Sequence, residues 1–115
     1  MEALKLNLNK DFRRLYGRGK SQVHPLLVTY ICQNRRGVIR YGVTTGKKIG
    51  GAVERNRARR VIEAAIREVL PVVDCPGADI VFVARTRTVM AKSYDVATVM
   101  RKHFKAGGII PQEEQ

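Results

Sequence analysis

The stretch "KKIGGAVERNRARRVIEAAIREVL" (Lys47–Leu70) decides how the chain is read. It places four arginines within the six residues "RNRARR" (55–60) and then runs into an apolar repeat. At about 100° per residue, Ala58, Val61, Ile62, Ala65, Ile66 and Val69 fall in one stripe. Asn56, Arg59, Arg60, Glu63 and Arg67 lie opposite, with Arg55 and Arg57 at the margins. The pattern predicts an amphipathic helix from about Ala52 to Leu70, stopped by Pro71. Its charge is placed against its own dipole: cations in the first turns cost about 0.3–1 kcal/mol each and repel one another. Glu54 offsets only a little of this. The placement makes sense if an anion belongs at that end. Helix amides preceded by the glycines of "KKIGG" can donate to a phosphate, arginines can fork onto its neighbours, and Lys47 and Lys48 extend the surface. The alternative is a solvated basic face, but charge set against the dipole is a poor route to solubility.

Composition agrees. Twenty-two basic against ten acidic residues give a net charge of +12 and a pI near 10.4, a self-repelling balance that a polyanionic partner explains. Residues 5–20, 47–60 and 85–105 each carry six Lys/Arg and one acid. Three equal clusters beside structured patterns predict a folded, multi-sided nucleic-acid-binding surface rather than a basic arm. No segment pairs a basic face with exposed Trp, Phe or Leu, which argues against a membrane surface. No apolar run approaches the roughly 18 residues of a bilayer span, and "MEALKLNLNKDF" has no signal-peptide core, so the expected location is cytoplasmic. Cys32 and Cys75 match no metal spacing and read as reduced, buried thiols. One domain over 1–115 is expected, with about 107–115 a flexible tail.

Along the chain, "NKDFRRLYG" (9–17) reads as a short helix with Asn9 as N-cap. "SQVHPLLVTYICQ" (21–33) reads as a short and a longer strand with a bend at Pro25. "NRRG" (34–37) is a turn, and "VIRYGVTT" (38–45) a strand expected to pair with the preceding one as an antiparallel hairpin. "IVFVAR" (80–85) has the near-continuous apolar character of an interior strand. Ser93 is expected to cap a last helix, "YDVATVMRKHFKA", closed by Gly107 and Gly108. The result is an α/β sandwich with helices mostly on one face.

Phe12 and Tyr16 form an i,i+4 pair, which is commonly core packing. Among Arg13, Arg14, Arg18 and Lys20 the same pair can instead be a platform on which single-stranded bases stack. The acids form no carboxylate cluster of the two-metal kind. His24 and His103 have no evident mutual partner, and His103 reads as a packed or dipole-favoured histidine in a last helical turn. No catalytic triad order, P-loop or zinc spacing occurs. The inventory disfavours an enzyme that acts alone.

The block "YGVTTGKKIGGAVERNRARRVIEAAIREVL" closely resembles the signature of the bacterial ribonuclease P protein subunit family, which carries an "RNR" motif after a lysine-lysine lead. "LNLNKDFRRLYGRG" is similar to that family's opening helix, "GADIVFVAR" to its later strand and "YDVATVMRKHF" to its closing helix. Glu63 departs from members that continue the basic row with arginine, and Gly51 from those with asparagine. The strand "LLVTYICQ" has Thr29 where a cleft-facing aromatic is expected, with Tyr30 on the opposite face.

The resemblance implies an α+β fold, an α-β-β-β-α-β-α sandwich with a small mixed sheet and a left-handed βαβ crossover, similar to the second domain of ribosomal protein S5. It implies a non-catalytic subunit of a ribonucleoprotein that removes the 5′ leader of precursor tRNA, with the RNA subunit performing the hydrolysis. Lys47, Lys48, Arg55, Asn56, Arg57, Arg59 and Arg60 would bind that RNA. Phe12, Arg13 and Tyr16 would line a cleft for the leader. The expected partners are the RNA subunit and precursor tRNA, with the free protein a monomer. No cofactor is expected on the protein itself, with Mg2+ held mainly by RNA. Composition leaves open a structural RNA-binding protein such as a small ribosomal protein. An autonomous ribonuclease is disfavoured by the acid and histidine inventory.

Overall fold

A computed structural model describes residues 3–6 and 9–111 of the chain, leaving aside the side chains of residues 3, 4 and 9. In order, the elements are β1 (Ala3–Lys5), α1 (Asn9–Arg18), β2 (Lys20–His24), β3 (Leu27–Gln33), β4 (Ile39–Thr44), α2 (Ala52–Val69), β5 (Ala78–Ala84) and α3 (Ser93–Ala106). Short 3-10 turns occupy Lys47–Ile49, Leu70–Val72 and Thr86–Met90. From α1 onward this is the expected α-β-β-β-α-β-α order, with β1 added ahead of it. The strands make one mixed sheet in the order β1-β4-β5-β3-β2. β4 runs parallel to β1 and β5, while β3 runs antiparallel to β5 and β2. α2 is the crossover between the parallel neighbours β4 and β5.

The expected bend at Pro25 is the turn of the β2–β3 hairpin, where His24 Nδ1 accepts the Leu26 amide at 3.0 Å. The expected hairpin between β3 and β4 does not form, because β5 lies between them. The five-residue link 34–38 spans the start of β5. Asn34 donates its amide to the Gly77 carbonyl at 3.1 Å, and Val38 accepts the Ala78 amide at 3.2 Å. Gly77 is required at this crossing, since a Cβ there would strike Asn34 Oδ1 and the Val38 carbonyl. The cause is burial: β5 is covered on both faces, and only an interior position allows that.

α2 and α3 pack on one face of the sheet. Ile62, Ile66 and Val69 meet Val96, Met100 and Phe104 over Leu27, Ile31, Ile80 and Phe82, all buried. The helical stripe read from the sequence is the one that is buried, with Val61 packed at its edge. On the other face α1 sets Leu15 over Val81 and Leu6, giving three layers.

Three expectations at the helix ends need correction or fall outside the description. α3 begins at Ser93, so the cap residue is Lys92, whose carbonyl takes the Asp95 and Val96 amides at 3.0 and 3.2 Å. The Asn9 side chain lies outside the described residues. The segment expected as a flexible tail from 107 is packed as far as Ile110: Ile109 is fully buried and Ile110 is 8% exposed. Asp74 donates its amide to the Ile109 carbonyl at 2.8 Å, tying this segment to the loop ahead of β5. Two adjacent isoleucines find more to gain in the α3–sheet seam than in water. Residues 112–115 lie outside the description.

His103 is a packed histidine, not a dipole-favoured cation. Its Nδ1 lies 2.8 Å from the buried Thr29 Oγ1. Burial, then the nearby His24, pushes its pKa down from 6.5 to about 4. Above pH 6.5 the imidazole is neutral in both folded and unfolded chains and adds no pH dependence. Between pH 6.5 and 4 only the unfolded chain binds the proton, so stability falls with pH by up to about 1.4 kcal/mol per unit. Urea unfolding from about pH 7 to about pH 5 is expected to show this slope, and His103→Gln to flatten it. Equal slopes in the two proteins would mean that the imidazole is not held neutral.

Candidate nucleic-acid interface

Parallel pairing makes β4 and β5 end at the same edge of the sheet. The β4 exit runs through Lys47 and Lys48 to Gly50, Gly51 and the start of α2. Gly50 has φ +138°, and a Cβ there would lie 3.0 Å from Glu54 Cβ, so the position needs glycine twice over. Glu54 Oε1 accepts the Gly51 amide at 2.9 Å, half of a capping box. The β5 exit is the Thr86–Met90 turn, pinned by Thr88: its hydroxyl accepts the Arg85 amide at 2.9 Å and donates to the Leu26 carbonyl at 2.7 Å. This turn packs against both α2 and the Lys47–Ile49 turn.

Cations from three segments therefore share one edge: Lys47 and Lys48, then Arg55, Arg57 and Arg60, then Arg85, Arg87 and Lys92. All are exposed except the half-buried Arg55. None of them makes an ion pair with a carboxylate among the described residues. Arg59 differs, donating to the Val43 carbonyl at 3.2 Å and to Thr45 Oγ1 at 3.5 Å. It ties α2 to the end of β4.

The α1 face carries a second feature. Cross-strand partners place Val23, Val28, Val83 and Thr44 in one row across β2, β3, β5 and β4. Val23 is exposed and the other three are half-buried, so the row floors an open trough beside α1. The next row holds Tyr30, Val81 and Gly42. Tyr16 stands edge-on to Tyr30 with ring centroids 4.9 Å apart and remains 44% exposed. Phe12 is half-buried over Gly42, where a Cβ would come within 2.7 Å of its ring. Tyr30 thus faces α1 and the trough, while Thr29 is buried on the α3 side. The sequence assignment had the two faces of β3 reversed.

Beneath α1 lies Asp79, fully buried. Arg40 grips it with both arms, Nε to Oδ1 at 2.8 Å and Nη2 to Oδ2 at 2.7 Å. Asn34 Nδ2 donates to Oδ1 at 2.7 Å, and Arg14 Nη2 to Oδ2. Asp11 adds a carboxylate 3.6 Å from Arg14 and 3.8 Å from Arg40. Burial raises the Asp79 pKa, but the hydrogen bonds from Arg40, Arg14 and Asn34 outweigh it and hold the carboxyl below its ordinary value.

The family model "Ribonuclease P" matches residues 1–107. This chain belongs to the ribonuclease P protein family. A "Ribonuclease P protein component" of Clostridium botulinum (strain Loch Maree) is 39% identical over 109 residues, covering 95% of this chain and 98% of the relative. One of Clostridioides difficile is 41% identical over 91 residues, 79% of this chain and 80% of the relative. The solved Staphylococcus aureus RNase P protein superposes with a TM-score of 0.79 at 25% identity, covering 96% of this chain and all of that one.

The structure gathers Lys47, Lys48, Arg55, Asn56, Arg57 and Arg60 at the sheet edge and turns Arg59 inward to β4. It sets Phe12, Arg13 and Tyr16 on α1, with the exposed Arg13 and Tyr16 outward. Sequence reasoning missed Tyr30 and the valine row, although the two-residue period of β3 carried them once its buried face was known. It also missed the Asp79 cluster, whose members are scattered over 11–79. Among the described residues no group of three or more His, Cys, Asp or Glu is placed to hold a metal ion.

Asp79→Asn leaves Arg14 and Arg40 without their shared carboxylate. A loss of about 3 kcal/mol in urea unfolding is expected, since breaking a buried pair strands its partner charges. A loss under about 1 kcal/mol would show that the cluster does not hold α1 to the sheet.

Proposed function

We propose that this chain is the RNA-binding, non-catalytic protein subunit of ribonuclease P, assisting removal of the 5′ leader from precursor tRNA. The observation that carries the reading is the single positive edge. Three cationic segments and the N-terminus of an 18-residue helix converge there without carboxylate partners among the described residues. Helix amides and guanidinium forks are suited to the phosphates of a folded RNA. The trough suits a single strand: Tyr16 and Tyr30 offer aromatic surface, the valine row an apolar floor, and Arg13 a cation at the rim.

The protein's part is binding and electrostatics. Cations at the junction of two polyanions relieve their repulsion and lower the demand for Mg2+ and salt. Mg2+ and the hydrolysis belong to the RNA subunit in this reading. His103 is buried and neutral, and Asp79 is saturated by donors, so neither is poised as an acid or base. The free protein is proposed to be a cytoplasmic monomer.

The test is cleavage of precursor tRNA at low Mg2+ by protein alone, by RNA subunit alone and by both. Cleavage only with both is expected. Cleavage by protein alone would point to an autonomous ribonuclease, and no gain from adding protein to a structural RNA-binding protein. Tyr16→Ala is expected to weaken binding of leader-bearing substrate about tenfold, with mature tRNA unaffected. Equal losses on both would assign Tyr16 a packing role only.

A further inference from the structure

The positive edge contains a groove that phosphate binding leaves unexplained. It lies between α2 and the Thr86–Met90 turn, lined by Arg57, Arg60, Val61, Ala64, Val89 and Met90. Its floor is aliphatic and its rim cationic, and no carboxylate lines it. Met90 is 78% exposed, and Arg57 Nη1 points at its Sδ over 4.0 Å. A second shallow groove opens on the other side of Met90, bounded by Leu26, Thr86, Arg87 and Ala91. Met90 is thus a ridge between two apolar floors. Close by, Tyr94 is 58% exposed, with Lys92 Nζ 6.0 Å from its ring centroid.

A surface that bound phosphates alone would gain nothing from this arrangement. Apolar area left in water, as at the exposed Met90 and Tyr94, is unfavourable unless a partner covers it. Pinning the turn through both polar contacts of Thr88 then fixes that apolar ridge beside the arginines. The combination fits a nucleotide with its base out of the stack. A flat, apolar face meets the methionine thioether and the valine floor, while phosphates on either side meet Arg57, Arg60, Arg87 and Lys92. Charge complementarity favours RNA over a peptide, which would need acidic residues to satisfy the same rim.

Resting on the ribonuclease P reading, we infer that the α2–Met90 groove receives an unstacked nucleobase of the RNA subunit, with Met90 as the contact that distinguishes base from backbone. Phosphate contacts set the salt dependence of binding, and base contacts do not. The experiment measures equilibrium binding of the RNA subunit by wild type, Met90→Ala, Met90→Leu and Arg57→Ala across a salt series. Met90→Ala is expected to bind about tenfold more weakly with an unchanged slope of log K against log salt. Met90→Leu keeps the apolar contact and is expected to stay near wild type. Arg57→Ala is expected to flatten the slope by about one unit. Because Met90 is exposed, unfolding midpoints for its two variants should match wild type. Wild-type affinity for Met90→Ala would overturn the groove inference alone and leave the groove to a partner other than RNA. Failure of wild type to bind the RNA subunit would overturn both readings.

Discussion

β5 is buried on both faces and hydrogen-bonded at both edges, and that constraint sets where everything else goes. An apolar strand of this kind cannot sit at the margin of a sheet, so β3 and β4 must separate to flank it, however short the link between them. Covering its two faces then demands α1 on one side and α2 with α3 on the other. Parallel pairing with β4 fixes the remaining geometry. α2 must start at the edge where β4 ends and return to the edge where β5 begins. Its N-terminus therefore stands beside the exit of β5, and the two turns leaving the parallel strands are neighbours. Open sheets commonly place their ligand sites at the carboxyl ends of parallel strands, for this topological reason. Here that position collects cations from segments up to 45 residues apart in sequence, from Lys47 to Lys92.

Collecting them has a cost in repulsion, and the acids are not placed to relieve it. Glu63 pairs with Lys5 at 3.3 Å and Glu68 with Arg101 at 2.7 Å, both away from the first turns of α2. Such exposed pairs contribute little to stability, but each neutralises a cation elsewhere on the surface. Asp79 and Asp11 do the same for Arg14 and Arg40 under α1. The eight cations at the sheet edge are left without a carboxylate partner among the described residues. Glu54, the one acid in the first turn of α2, spends its carboxylate on the Gly51 amide.

What could be read in the sequence was what lies in short-range pattern. The stripe of α2 follows from a 3.6-residue period over 18 residues, and its arginines were exposed because no other face remained for most of them. Arg59 escapes that logic, since the end of β4, not the helix, decides where its guanidinium goes. The β3–β4 pairing failed because adjacency in sequence cannot reveal a third strand supplied from beyond α2. The face of β3 failed because "LVTYICQ" is apolar on both sides, so alternation alone does not say which side meets α1. Ile109 and Ile110 looked like a tail because their neighbours are glycine and proline, and only the depth of the seam beside α3 shows why they pack. The Asp79 cluster draws on α1, the 34–38 link, β4 and β5, and no local pattern encodes such a meeting.

The two faces of the sheet are joined where β4 ends. Thr44 closes the apolar row of the trough, Thr45 accepts Arg59 from α2, and Lys47 opens the basic turn, all within four residues. A strand of nucleic acid leaving the trough at this end would pass directly into the field of the α2 cations. Arg59 bridges that junction from α2, donating to the Val43 carbonyl and to Thr45 Oγ1, and it does so with a cation that is consequently less free to meet phosphate. With that one arginine turned inward, Arg57 and Arg60 remain the exposed guanidinium groups of the motif. On the proposed function, one small protein grips a folded RNA at its edge and a single strand on its face, and Arg59 sits at the boundary between the two.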